Sequence, residues 1–282
     1  MAKNKSTLAS RLMTLLLVFI FLLGLGLVLY PTVSDYINSL HQSNVITRYT
    51  EKVSSMQDDE CAEMLSAARK FNEKLLDRSN AIAMSDEELE EYNKLLDATG
   101  DGTIGYIEIP SIQCVLPIYH GTSSYVLQTA IGHLEWTSLP VGGESTHSVV
   151  SGHRGLPSAK LFTNLDKLEK GDIFMLRVLD EVLTYEVDQI LIVEPDEVDC
   201  LQVEPGMDYC TLFTCTPYAI NTHRLCVRGH RIENIEQSKK IHVTSEAMQI
   251  EPLIVAPVIA IPILLLILII ASIVSKFSYR DR

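Results

Sequence analysis

Apolar residues are massed at the two ends of the chain, and between these masses the hydrophobic pattern changes its period. Between Arg11 and Asp35 lie 23 uncharged residues, nearly all apolar from Leu12 to Tyr30, and a helix needs about 20 such residues to cross the hydrocarbon of a bilayer. Between Glu251 and Lys276 lie 24 more, with a dense Ile/Leu/Val run from Ile261 to Val274. The pattern predicts one membrane helix over 12–33 and a second over 253–275, in which Pro257 and Pro262 are tolerable. A cleaved signal peptide is the competing reading of the first block, but its apolar run is long and no A-x-A-like site follows it.

From Asp58 to Asp97 the period is helical. Cys61, Met64, Leu65, Ala68, Phe71 and Leu75 recur at three- and four-residue spacing and make one apolar stripe. Ser85-Asp86-Glu87-Glu88 has the form of a capping box and starts a second helix, with Leu89, Tyr92, Leu95 and Leu96 on its apolar face. Beyond Gly100-Asp101-Gly102 the texture becomes β-rich, in short runs between Gly/Pro turns. Strands are expected at 105–109, 115–119, 148–151, 173–178, 182–193, 209–215 and 224–231, with helical turns at 123–129 and 159–165. Several short strands with turn signals suggest a closed barrel or a sandwich. The chain thus divides into tails at 1–11 and 276–282, the two spans, a helical segment at 34–100, a β domain at 101–232 and a polar tether at 233–252.

Charge sets the topology. Lys3, Lys5 and Arg11 precede the first span and Lys276, Arg280 and Arg282 follow the second, and basic flanks stay cytoplasmic, so both termini are expected inside and the β domain outside. Residues 35–250 carry 17 Lys/Arg against 34 Asp/Glu, a net charge of −17. Such a surface argues against binding nucleic acid, whose phosphates demand a basic footprint. The six cysteines then lie where disulfides can form, but their spacing is irregular and has no C-x-x-C pair for zinc. Cys114, Cys200 and Cys210 read as small core residues. A bridge between Cys210 and Cys226 is disfavoured, because an antiparallel register pairing Cys215 with Arg224 puts Cys210 opposite Gly229; the thiols are expected to be mainly reduced.

That register carries the candidate chemistry. In Thr211-Leu-Phe-Thr-Cys215, followed nine residues later by Arg224, two strands joined by a polar loop return a thiol and a guanidinium to one rim. A thiolate attacking a carbonyl develops negative charge on oxygen, which a fixed cation stabilises, and cysteine can form the covalent acyl intermediate. A proton-transfer partner is needed. His153, in Ser148-Val-Val-Ser-Gly-His-Arg-Gly155, stands at a strand-to-loop transition; on spacing alone His120, His133, His147 and His223 remain open.

Thr211-Leu-Phe-Thr-Cys215 with Arg224 resembles the T-L-x-T-C…R signature of sortases, and Ser151-Gly-His153-Arg resembles the segment bearing their histidine. The likeness continues through Gly105-Tyr-Ile-Glu-Ile-Pro110, Leu116-Pro-Ile-Tyr-His-Gly121, Gly132-His-Leu-Glu135, Ser138–His147 and Gly155–Phe162, over roughly residues 104–232, and is similar to class C sortases in particular. The resemblance implies an eight-stranded sortase β-barrel and a cysteine transpeptidase, with Cys215 as nucleophile, His153 as acid and base, and Arg224 holding the substrate carbonyl and its oxyanion. It implies no metal or organic cofactor, substrates with an L-P-x-T-G-like sorting signal, a pilin lysine as acceptor, and the membrane of a Gram-positive bacterium. A sortase that anchors surface proteins to cell-wall precursor, and a silent membrane scaffold on the same fold, are the alternatives. The chain departs from class C in one respect: residues 34–104 lack the Asp-Pro-aromatic lid motif. Either no lid exists or Ser85–Asp97 covers the cleft by another contact. Trp136 replaces a small residue of the family pattern and is a surface aromatic or part of a substrate rim.

Overall fold

The computed structural model describes residues 2–76 and 84–234, together with 262, 263, 265 and 266. The second expected span lies outside the described residues except for those four, which are helical, as does the tether beyond 234. One helix, α1 (Ala2–Ser55), runs without interruption through Pro31, and its Leu12–Ser55 portion is the one helix among the described residues long and apolar enough to cross a membrane. Its two halves differ in burial. Phe19, Leu27 and Val28 are exposed, whereas Ser39, Gln42, Val45, Ile46 and Tyr49 are buried, a three- and four-residue spacing that turns one helical face onto the β domain.

Helix α2 (Asp58–Leu76) buries the predicted stripe of Cys61, Leu65, Ala68 and Phe71. Asn72, which the hydrophobic pattern does not single out, docks it: its Nδ2 donates to the Leu139 carbonyl at 3.0 Å and its Oδ1 accepts from the Leu139 N–H at 2.7 Å. Helix α3 (Asp86–Tyr92) starts with the expected capping box, Ser85 and Glu88 satisfying each other's backbone N–H.

The β domain is a closed barrel of eight strands: β1 (Thr103–Ile109), β2 (Cys114–His120), β3 (Ile131–His133), β4 (Thr146–Ser151), β5 (Ile173–Val178), β6 (Glu181–Val193), β7 (Asp208–Thr216) and β8 (His223–Ile232). Their order around the barrel is β1-β2-β3-β4-β7-β8-β6-β5. Closure rather than a sandwich leaves no unpaired edge. Seven strands coincide with the expected runs; β3 is the eighth, three residues held by parallel pairing to β2 and antiparallel pairing to β4. A short helix, α4 (Ser124–Leu127), falls within the turn expected at 123–129, while the turn expected at 159–165 is displaced to a 3-10 helix at Leu165–Lys167. The displacement follows from packing, since Ala159, Phe162 and Leu165 are all buried in the core. Inside the wall, Glu108 and Arg177 form an ion pair at 2.5 Å with both side chains under a tenth exposed.

Helix α3 is held by Tyr92, whose hydroxyl donates to His133 Nδ1 at 2.9 Å and accepts from the Gly121 N–H at 3.0 Å. Because His133 Nε2 lies 2.9 Å from the Ser138 carbonyl, Nε2 carries the proton. Full burial pushes the His133 pKa down to about 3 and keeps the ring neutral. His120 and His147 are lowered by the same cause. Residues 77–83, which join α2 to α3, lie outside the described residues.

Two outcomes follow. Tyr92→Phe leaves a buried ring nitrogen and a backbone N–H short of a partner, and the chain should lose about 1–3 kcal/mol of stability, read by denaturant unfolding; a loss near zero contradicts this role. As pH falls below about 6.5, histidines of the unfolded chain take up protons while buried His133 does not, so the unfolded state binds more protons and stability falls toward acid. By pH 5, His133 alone should cost about 2 kcal/mol; a thermal midpoint unchanged between pH 7.5 and 5 contradicts this.

Candidate active site

Three neighbouring strands of the barrel build the site. Strands β4 and β7 run parallel in the register Ser151↔Phe213, and β7 and β8 run antiparallel with Cys215 opposite Arg224 and Cys210 opposite Gly229. The C-terminal ends of β4 and β7 and the N-terminal end of β8 therefore meet at one rim of the barrel. Beyond the ladder proper, the Gly152 N–H donates to the Phe213 carbonyl at 3.1 Å, and the buried Thr214 hydroxyl donates to the Gly152 carbonyl at 2.6 Å. His153 thus leaves β4 beside the last turn of chain before Cys215. Gly152 is required there, because a Cβ would lie 2.7 Å from Ile131 Cγ2 and 2.9 Å from Phe162 Cδ2.

The structure brings Cys215, His153 and Arg224 to this rim, each partly exposed. Partial burial lowers the His153 pKa, so at neutral pH the ring is a neutral imidazole able to accept a proton. The Arg224 Nη1 donates to the carbonyls of His223 at 3.2 Å and Asn221 at 3.4 Å, which ties the guanidinium to the β7–β8 loop.

The other candidate histidines are accounted for elsewhere. His147 is buried, with Nδ1 2.8 Å from the Gln202 carbonyl, to which it donates, and Nε2 accepting from the Thr211 hydroxyl at 2.7 Å. His133 is locked between Tyr92 and Ser138 as described, His120 stacks edge-on against Tyr92, and His223 faces Glu194 at 3.3 Å.

Several supporting residues are given no role by the sequence. Arg154 bridges the rim: Nη1 donates to Thr216 Oγ1 at 3.0 Å and Nη2 pairs with Asp166 at 2.6 Å, with the side chain 8% exposed. The Phe162 N–H returns to the His153 carbonyl at 3.1 Å. Gly155, at φ +79, lies under the Tyr218 ring of the β7–β8 loop, where a Cβ would approach to 3.0 Å. Helix α1 grips the far side of the loop that follows His153, Asn38 Nδ2 donating to the Ser158 carbonyl at 2.7 Å and Asp35 Oδ1 accepting from the Lys160 N–H at 2.8 Å. The loop after His153 is therefore held by β7, by a 3-10 turn and by the long N-terminal helix. Trp136 packs with Val149, Val193 and Leu201 in a small cluster outside the main core.

Among the described residues no group of His, Cys, Asp and Glu could hold a metal ion. What the rim offers is a thiol, a neutral imidazole and a guanidinium on adjacent strands, a set suited to attack on a carbonyl carbon.

The chain is similar to known proteins over the barrel that carries this rim. A sortase-domain family model matches residues 107–232. The crystal structure of sortase C1 from Streptococcus agalactiae is 48% identical, covers 68% of this chain and 100% of its own, and superposes with a TM-score of 0.65. Sortase C from Streptococcus pneumoniae, whose crystal structure provides insights into catalysis and pilin substrate specificity, is 46% identical over 68% of this chain and 97% of its own, with a TM-score of 0.60. Sortase D from Bacillus subtilis is 32% identical over 115 residues, 41% of this chain and 55% of that protein. The chain spans about half the length of the curated relatives it matches. With a barrel of this order and near-complete coverage of solved sortases C at such identity, the chain belongs to the sortase family, among its class C members.

Proposed function

We propose that the chain is a cysteine transpeptidase that cleaves an LPXTG-like sorting signal between Thr and Gly and transfers the acyl group to a lysine amine of a pilin. The observation that carries this reading is the register that sets Cys215 opposite Arg224 with His153 emerging from the adjoining strand. The pilin acceptor is supported by the likeness to sortases C, including one whose structure bears on pilin specificity.

In the first step Cys215 Sγ adds to the threonine carbonyl carbon and passes its proton to His153. The oxyanion forms beside Arg224, whose fixed charge favours the tetrahedral state over the planar substrate. Collapse breaks the C–N bond; the glycine amine leaves with the proton from His153, and a thioester remains on Cys215. In the second step the lysine amine adds to the thioester, gives its proton to His153 and displaces the Cys215 sulfur, which takes that proton from His153 as it leaves. An amide is exchanged for an isopeptide, and neither step needs a redox partner or cofactor.

The exposed apolar half of α1 and its length support a membrane anchor over 12–33. With the flanking charges, they support a β domain held outside the cell by this span; the second span, over 253–275, rests on the sequence pattern alone. Because α1 continues as one helix into its contacts with Ser158 and Lys160, the anchor also sets how the rim faces the membrane.

Incubation with an LPXTG-type peptide should give a thioester adduct visible by intact mass and absent from Cys215→Ala; absence of an adduct across several sorting peptides rules the reading out. Arg224→Lys should slow acylation about 10²–10³-fold, because an ammonium cannot reproduce the guanidinium's donor geometry, while the thermal midpoint stays put. A rate within about threefold of the parent removes Arg224 from the oxyanion role.

A further inference from the structure

Two cysteines that the proposed reaction does not use stand against each other. Cys200 lies in a 3-10 turn, Asp199–Leu201, in the connection from β6 to β7, and Cys226 lies on β8, two residues after Arg224. Their sulfurs are 3.4 Å apart, and the residues are 26 positions apart in the chain. This differs from the pair weighed on sequence, Cys210 with Cys226, and from the reading of Cys200 as a core residue, since Cys200 is partly exposed. The encounter is built rather than accidental. Leu201 is buried in the cluster that contains Cys226 and Val193, and the neighbouring Gln202 carbonyl receives the buried His147 Nδ1–H. The chain is pinned immediately after Cys200, and the Cys200 thiol is aimed at β8.

We infer that Cys200 and Cys226 are a disulfide-forming pair that closes in the exported domain and fastens the β6–β7 connection to the strand carrying Arg224. A bond of about 2.05 Å needs the sulfurs to approach by about 1.4 Å, which a side-chain rotation can supply. The two thiols differ in the way that stepwise oxidation requires. Cys200 is the accessible one, and the hydrogen bond from Cys226 holds its pKa below the ordinary thiol value; Cys226 is buried. The oxidant is a disulfide, such as a thiol–disulfide oxidoreductase in its oxidised form. The Cys200 thiolate attacks one sulfur of that disulfide and releases the other as a thiolate. Cys226 then gives up its proton, attacks the Cys200 sulfur and displaces the second thiol. Two electrons pass to the oxidant, which leaves as two thiols. The crosslink sits beside the site without entering it: Val193 pairs with Arg224 and Ile192 with Leu225, while Glu194 faces His223, so closing the ring restrains the segment that flanks Arg224.

This rests on the exported placement proposed above, and the test separates the two. The full chain in detergent is treated with oxidised glutathione, alkylated after unfolding and digested. A peptide linked through Cys200 and Cys226, lost on reduction, is expected, and the oxidised chain should melt about 5 °C or more above the reduced one, a difference absent from Cys200→Ser. Recovery of both residues singly alkylated or as mixed glutathione disulfides overturns the inference wherever the domain resides. Cells expressing the chain, acid-quenched and alkylated before lysis, should show the same linked peptide. Its absence there also overturns the inference. Cleavage of the β domain by protease added to intact cells then shows whether the crosslink or the exported placement failed.

Discussion

The parallel pairing of β4 with β7 is the contact on which the site depends. Strands that run parallel and adjacent end at the same side of a sheet, so the residue that follows β4 and the last residues of β7 must lie together. The two hydrogen bonds at Gly152, one to Phe213 and one from Thr214, extend that pairing past the ladder and fix where His153 departs. The antiparallel hairpin of β7 and β8 then returns Arg224 to Cys215. Three candidate side chains from distant parts of the sequence are placed by backbone hydrogen bonds, which are stiff, rather than by their own contacts, which are few. That arrangement leaves the reactive groups partly exposed and available to a substrate without loosening their positions.

Around this frame the N-terminal helices act as braces. Helix α1 reaches the loop after His153 through Asp35 and Asn38 and the opposite wall through Tyr49, whose hydroxyl accepts from the Leu179 N–H and donates to the Ile104 carbonyl. Helices α2 and α3 each insert one polar side chain, Asn72 and Tyr92, into backbone that the barrel leaves unpaired. Buried polar groups satisfied in this way hold the helices to one register, whereas the apolar stripe alone tolerates sliding.

The sequence was informative where structure is local or repetitive. The capping box at Ser85, the stripe on α2 and seven strands are readable because period and turn chemistry report directly on backbone conformation. The Cys215–Arg224 register was also legible, since a polar loop between two apolar runs leaves little freedom in how a hairpin closes. Strand β3 was not, because three residues contain no alternation and Ile131–His133 is a strand only by virtue of its neighbours. Arg154, Asn72 and the meeting of Cys200 with Cys226 depend on side chains crossing between elements, and nothing in their immediate sequence records that. The choice of His153 among five histidines rests on family likeness; burial and hydrogen bonding of His133 and His147 supply the physical reason those two are occupied.

That one thioester-forming carbonyl is served jointly from β4, β7 and β8 is most directly tested by a double-mutant cycle on single-turnover acylation. Rates are measured for the parent, His153→Ala, Arg224→Ala and the double variant with one sorting peptide. Groups acting on the same transition state are strongly non-additive, so the double variant should be little slower than the slower single one. Losses that multiply, each factor independent of the other, would contradict a shared site.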